Sequence, residues 1–142
     1  MRDTPAMAHL GLVTVLVDDY DTAIWFFVQA LGFELTDDSE STTNDGRTKR
    51  WVVVRPQGGE TGLLLALADS DGQRARVGDQ TAGRVGWFLH VDDFDSQYAR
   101  MQAAGVEFLE QPRREPYGTV AVFVDPVGNR WDLLGPAIGD PA

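Results

Sequence analysis

The sequence predicts an α+β fold of two tandem βαβββ modules. Three observations carry the prediction: a duplicated segment, the same succession of strand and helix signals around each copy, and a length suited to one core. Val17-Asp18-Asp19-Tyr20-Asp21 recurs as Val91-Asp92-Asp93-Phe94-Asp95, 74 residues on, and Gly32-Phe33-Glu34-Leu35 is answered by Gly105-Val106-Glu107-Phe108 at an offset of 73. Two segments repeated in the same order mark an internal duplication, which sets the architecture before any one element is read. The 142 residues suit a single domain.

Each copy of the segment closes an apolar, β-branched run, residues 12–17 in the first and 85–91 in the second, which reads as a strand. The aspartates that follow can accept from the free N–H groups of a helix start, and Gly32 and Gly105 stand where a helix needs a left-handed terminating residue. The spacing predicts helices over 21–31 and 95–104, with Ile24, Phe27 and Leu31, and Tyr98 and Met101, as apolar stripes toward a sheet. Residues 34–37 and 107–110 supply one further strand each. Strands 51–55 and 62–67, joined by Pro56-Gln57-Gly58-Gly59, form one hairpin; strands 119–124 and 130–134, joined by Asp125-Pro126-Val127-Gly128-Asn129, form the other. Module one therefore runs from about 9 to 68 and module two from about 84 to 135, within a single domain of residues 1–142; the polar stretch 69–83 between them reads as a solvated connector.

Composition narrows the function classes. The 22 acidic against 12 basic residues give a net charge of −10, which opposes a phosphate backbone, so no nucleic acid partner is expected. There is no cysteine, so any metal would rest on His, Asp and Glu, with only His9 and His90 to supply imidazole. No apolar run approaches the ~20 residues that cross a bilayer, and residues 1–8 lack a signal-peptide core; a cytoplasmic protein with no membrane partner is expected. No Ser-His-Asp arrangement, phosphate-cradling glycine loop or Cys motif is present, and no catalytic residue is assigned.

The duplicated pattern, with Val17-Asp18-Asp19-Tyr20-Asp21, Leu31-Gly32-Phe33-Glu34-Leu35 and Phe123-Val124-Asp125-Pro126-Val127-Gly128-Asn129-Arg130-Trp131-Asp132-Leu133, resembles the vicinal oxygen chelate superfamily. That superfamily includes glyoxalase I, extradiol dioxygenases, fosfomycin-modifying enzymes and bleomycin resistance proteins. The resemblance spans residues 9 to 135, and Asp125-Pro126-x-Gly128-Asn129 is its most specific phrase. It implies the glyoxalase/bleomycin resistance fold, in which the modules form an open, cleft-bearing sheet with the ligand in the concave cleft. Such a fold does not by itself settle the chemistry.

Metal-dependent members of that family carry a ligand, usually His or Glu, on the first and last strand of each module. By the resemblance those positions fall on Leu12, Gly86, Leu65 and Asp132. Only Asp132 could bind a metal, and one carboxylate leaves a divalent ion too few protein ligands, so no metal and no cofactor are expected. The resemblance is closest to the metal-free, bleomycin-resistance-like branch. It implies a protein that binds or sequesters a small molecule, such as an antibiotic, with a metal-dependent lyase, isomerase or dioxygenase of the same superfamily as the alternative. Family habit adds a homodimer.

Alternation along the strands assigns the cleft lining. Residues in phase with Leu12 and Gly86 face it: Leu12, Thr14 and Leu16, then Gly86, Phe88 and His90. Leu63, Leu65 and Leu67 are placed beside Arg130, Asp132 and Leu134 on the same side, while Val13, Val15, Val17, Trp87, Leu89 and Val91 turn to the helices. Trp51 and Tyr117 are added as rings that could stack on an aromatic or cationic ligand. The ligand-binding set expected from the sequence is therefore Leu12, Thr14, Trp51, Leu65, Gly86, Phe88, His90, Tyr117 and Asp132. His90 reads either as a proton carrier or as a structural residue, and Asp132 as a cleft group or as an ion-pair partner of Arg130.

Overall fold

The computed structural model describes residues 6–137. Along the chain these form β1 (Leu12–Val17), α1 (Tyr20–Trp25), β2 (Glu34–Thr42), β3 (Thr48–Arg55), β4 (Gly62–Leu67) and α2 (Asp71–Arg76). Then follow β5 (Val85–His90), α3 (Phe94–Ala103), β6 (Glu107–Phe108), β7 (Arg113–Glu115), β8 (Gly118–Val124) and β9 (Arg130–Gly135). The strands build two sheets, β1-β4-β3-β2 and β5-β9-β8-β6, with β7 added beside β8. In each sheet the first strand lies parallel to the last, and the remaining pairs are antiparallel.

The duplicated segment does the same work twice. Asp19 Oδ2 accepts from the Thr22 N–H at 2.8 Å and Asp93 Oδ1 from the Ser96 N–H at 3.1 Å, so each helix starts on an aspartate cap. Gly32 and Gly105 both take φ +82°, the left-handed residue that lets the chain leave the helix. The first helix is not regular throughout: α1 widens into a π-helical turn over Phe26–Ala30, where the Leu31 N–H donates to the Phe26 carbonyl at 3.0 Å. The added residue in that turn brings Phe26 and Phe27 together into the core, at 4% and 1% exposure with their rings edge to face.

Three elements differ from the sequence expectation. The strand expected over 34–37 runs on to Thr42 and the one expected from Trp51 starts at Thr48, so β2 and β3 pair as a long hairpin whose outer half is held by charge rather than by burial. Every residue of β2 is exposed, and Arg50 makes two bonds of 2.8 Å to Asp38 and one of 3.1 Å to Asp21. Hydrophobicity carries no trace of such a pair. The expected strand over 107–110 ends at Phe108, and Arg113–Glu115 forms a strand of its own on β8. The connector holds a helix, α2, capped by the Ser70 side chain.

The helix-facing sides of both sheets meet across the helices in one buried cluster. Val15, Val52, Val54 and Leu65 from the first sheet, Phe27, Ala30 and Leu31 after α1, Met101 of α3, and Phe123, Trp131 and Leu133 from the second all belong to it. Phe27 and Trp131, one from each module, have ring centroids 5.6 Å apart. Polar contacts reinforce the junction. Arg100 of α3 donates to the carbonyls of Val28 and Gln29, and the Gln97 amide to that of Leu31 at 2.9 Å, so α3 is bonded to the carbonyl groups at the end of the first helix.

The Asp125-to-Asn129 phrase is a turn lock. Asp125, 4% exposed, accepts from the N–H groups of Gly128 and Asn129 through Oδ1 and from the Trp131 indole through Oδ2 at 3.2 Å. Burial raises its pKa from the ordinary 3.8, against the pull of those donors. Asn129 in turn accepts from the Gln80 N–H at 3.4 Å, tying the connector to the turn.

Candidate functional site

With the helices covering one side of each sheet, the other side of each is the more open, although Val53 and Val120 are buried there. On the first sheet, strand register decides which residues it presents. β4 pairs with β1 so that Leu64 stands beside Thr14 and Ala66 beside Leu16, and β3 pairs with β4 so that Val53 stands beside Leu64. Residues paired in this way share a face. The open face is thus Thr14, Leu16, Leu64, Ala66 and Val53, extended along β3 by Trp51 and Lys49 and along β2 by their partners Ser39 and Ser41.

This register corrects the expectation for Leu63, Leu65 and Leu67. Leu65 pairs with Val15, is fully buried at 0% exposure, and belongs to the core; Leu64 takes the open-face position instead. The four consecutive apolar residues from Leu63 to Ala66 carry no alternation of their own, so only the pairing with β1 fixes their phase.

A concavity of about 570 Å³ lies on this face, bordered by Thr14, Leu16, Trp51, Leu64 and Ala66, with Tyr20 and Gln73 at one end and Lys49 at its polar wall. Trp51 is 39% exposed there. The Tyr20 hydroxyl donates to the Arg50 carbonyl at 3.2 Å and accepts from the Leu67 N–H at 3.5 Å, fixing that end of the hollow.

On the second sheet Phe88 pairs with Asp132 and His90 with Leu134, so these four share the open face with Val122. Phe88 is 58% exposed. The register slips between Val85 and Trp87, which makes Gly86 the extra residue of a bulge; Val85 stands opposite Arg130, and a Cβ on Gly86 would meet Thr81 Cγ2 at 2.7 Å. Gly86 is therefore covered by the connector rather than aligned with Leu12 on an open face. Asp132 forms no ion pair with Arg130. Its Oδ1 is shielded from solvent without a hydrogen-bond donor, and burial raises its pKa, opposed by the charge of Arg113 and aided by that of Glu110. Arg113 is itself engaged by Glu110 at 2.6 Å and Glu115 at 2.7 Å.

The expected residues thus fall into separate groups within one chain. Thr14 and Trp51 line the first-sheet hollow. Phe88 and His90 border a second cavity of about 730 Å³, formed with the Pro56-to-Thr61 turn, Gln97 and Arg100. Leu12 is half-buried at the start of β1, and Tyr117 stands 64% exposed in the turn between β7 and β8. Sequence reasoning missed Lys49 and Leu64. Parity along β3 was the signal for Lys49, two residues before Trp51; nothing in the sequence distinguished Leu64 from Leu65.

Residues 8–133 match the family model of the Glyoxalase/Bleomycin resistance protein/Dioxygenase superfamily. The chain belongs to this superfamily. An uncharacterized protein of Shewanella frigidimarina is 47% identical over 130 residues, covering 91% of this chain and 92% of that one. Among solved structures, TnmS3, an antibiotic binding protein from Streptomyces sp. CB03234, is 33% identical with a TM-score of 0.74, covering 94% of this chain and all of the other. A glyoxalase/bleomycin resistance protein from the same Streptomyces is 32% identical with a TM-score of 0.68, over 89% of this chain and 99% of its own.

For a member of the Glyoxalase/Bleomycin resistance protein/Dioxygenase superfamily the metal positions are the chemical test. The positions that the resemblance assigns are Leu12, Gly86, Leu65 and Asp132; Leu65 is buried in the core and Gly86 is the bulge residue, and their neighbours Leu64 and Val85 are apolar too. One carboxylate and three apolar residues do not fit a divalent ion. Among the described residues no three of His, Asp and Glu gather in a group able to hold a metal.

Proposed function

We propose that this chain binds and sequesters a small aromatic molecule of the antibiotic kind, without a metal, in clefts completed by a cytoplasmic homodimer. The observation that carries the reading is the hollow on the first sheet: about 570 Å³, floored by Leu16, Leu64 and Ala66, with an exposed indole at Trp51. That volume lies within the range of small-molecule sites, and an open indole offers a large apolar surface for stacking. The likeness to TnmS3, an antibiotic binding protein, supports the same ligand class. In the dimer, the first-sheet face of one copy lies against the second-sheet face of the other, which gathers Trp51 with the partner's Phe88, His90 and Asp132 into one cleft. One exposed ring on each face, Trp51 on the first sheet and Phe88 on the second, supports that arrangement.

Isothermal titration of the whole protein against a panel of aromatic and glycopeptide antibiotics tests the reading, with saturable binding to at least one expected. No binding across the panel overturns sequestration. Elemental analysis is expected to find no stoichiometric Ni, Zn, Mn or Fe, and finding one overturns metal independence. Sedimentation at micromolar concentration is expected to give a dimer; a monomer overturns the shared cleft.

A further inference from the structure

We propose that the first-sheet hollow selects a planar aromatic ligand that carries an acidic oxygen, a carboxylate or phenolate, held between Trp51 and the ammonium group of Lys49. The inference rests on the binding function proposed above and names the chemical class of its ligand.

Lys49 is the only lysine among the 12 basic residues of a chain whose net charge is −10. It lies on β3 two residues before Trp51, so the two side chains leave the same face of the strand, and both border the hollow. Its cross-strand partner is Ser41 and that of Trp51 is Ser39, both neutral. Of the other charged groups at the rim, the two arginines are engaged by carboxylates, and among the described residues Glu40 and Asp69 make no ion pair. Arg50 points to the helix side, where it binds Asp38 and Asp21, and Arg47 binds Asp45 in the turn. Glu40 pairs across the strands with Arg50, on the face away from Lys49. Asp69 lies beyond the end of β4, with its N–H held by Gln73.

Among the described residues Lys49, like Arg55, Arg84, Arg100, Arg114 and Arg130, has no carboxylate partner within ion-pair distance, whereas Arg47 and Arg50, the other basic residues bordering the hollow, each have one. An ammonium beside an exposed indole over an apolar floor matches a ligand with a flat ring and a negative oxygen at its edge. A bond from Lys49 to that oxygen would be charge-assisted. A cationic ligand would meet Lys49 with the wrong sign.

Three pyrene probes of one shape and different charge separate the possibilities: 1-pyrenecarboxylate, 1-pyrenecarboxamide and 1-pyrenemethylammonium, each titrated into the whole protein. The carboxylate is expected to bind about tenfold tighter than the other two, the size of one charge-assisted bond. Lys49→Met is expected to erase that difference, and Lys49→Arg to keep it. Acetylation of Lys49 by an amine-reactive ester, read by mass spectrometry on the wild-type protein, is expected to slow when the carboxylate is bound. Equal affinities, tightest binding of the ammonium probe, or a difference that survives Lys49→Met overturns the inference and leaves the binding function standing. The same holds if no pyrene binds but an antibiotic of the panel does. Failure of every probe and every antibiotic overturns both.

Discussion

The Gln80 side chain pairs with Leu16 and its strand as a neighbouring β-strand would: Oε1 accepts from the Leu16 N–H at 2.7 Å, and Nε2 donates to the Thr14 carbonyl at 3.1 Å. β1 is the edge of its sheet, and an open edge invites pairing with another chain. One amide in the connector closes it. Gln80→Leu removes both bonds, an expected loss of about 1–3 kcal/mol at roughly 0.5–1.5 kcal/mol per bond. Urea unfolding measures the loss, and sedimentation velocity is expected to show self-association of the variant that grows with concentration beyond that of the unaltered protein.

Adjacent leucines on β4 should behave as opposites. Leu65→Ala opens a cavity in the shared core and is expected to cost about 2–5 kcal/mol. Leu64→Ala, on the half-buried open face, is expected to cost less and to weaken binding of 1-pyrenecarboxamide. Denaturant titration beside probe titration on the two variants checks both statements. Equal stability losses would contradict the register.

The connector is fitted closely against the second module at Gly78. This residue takes φ +76°, and a Cβ on it would lie 1.9 Å from the Val127 carbonyl oxygen. Gly78→Ala must both strain the backbone and displace the turn, and an expected loss above about 1 kcal/mol follows. Gly72 inside α2 has nothing within 4 Å of such a Cβ. Gly72→Ala is expected to gain about 0.4–1 kcal/mol by restricting the unfolded chain. Thermal unfolding of the pair provides the comparison.

Asp132 sets a pH dependence of definite sign. Its folded pKa lies above the ordinary 3.8 because burial disfavours the carboxylate. The folded state therefore holds the proton more tightly than the unfolded chain. The stability that this contributes is full below pH 3.8 and is lost as pH rises through the folded value. Asp132→Asn removes the ionisation, so the variant is expected to be the more stable of the two at pH 7 and to lose that advantage as pH falls through the folded value toward 3.8. Chemical denaturation of both proteins across that range checks the sign.

The two modules, their helix caps and their order along the chain were written in the sequence, because those features are local. Val17-Asp18-Asp19 and Val91-Asp92-Asp93 end strands and start helices wherever they occur, Gly32 and Gly105 end helices by their own backbone freedom, and the Asp125 turn closes on itself within six residues. The site was less local. The run from Leu63 to Ala66 has no alternation, so its face waited on the pairing of Val15 with Leu65, two residues 50 positions apart. The bulge at Gly86 and the Arg50–Asp38 clasp of the outer hairpin likewise arise between strands, where charge and register act across distance in sequence. Trp51 could be recognised as a ring on a strand; that it stands with Lys49 over an apolar floor was decided only when β1, β4 and β3 were laid side by side.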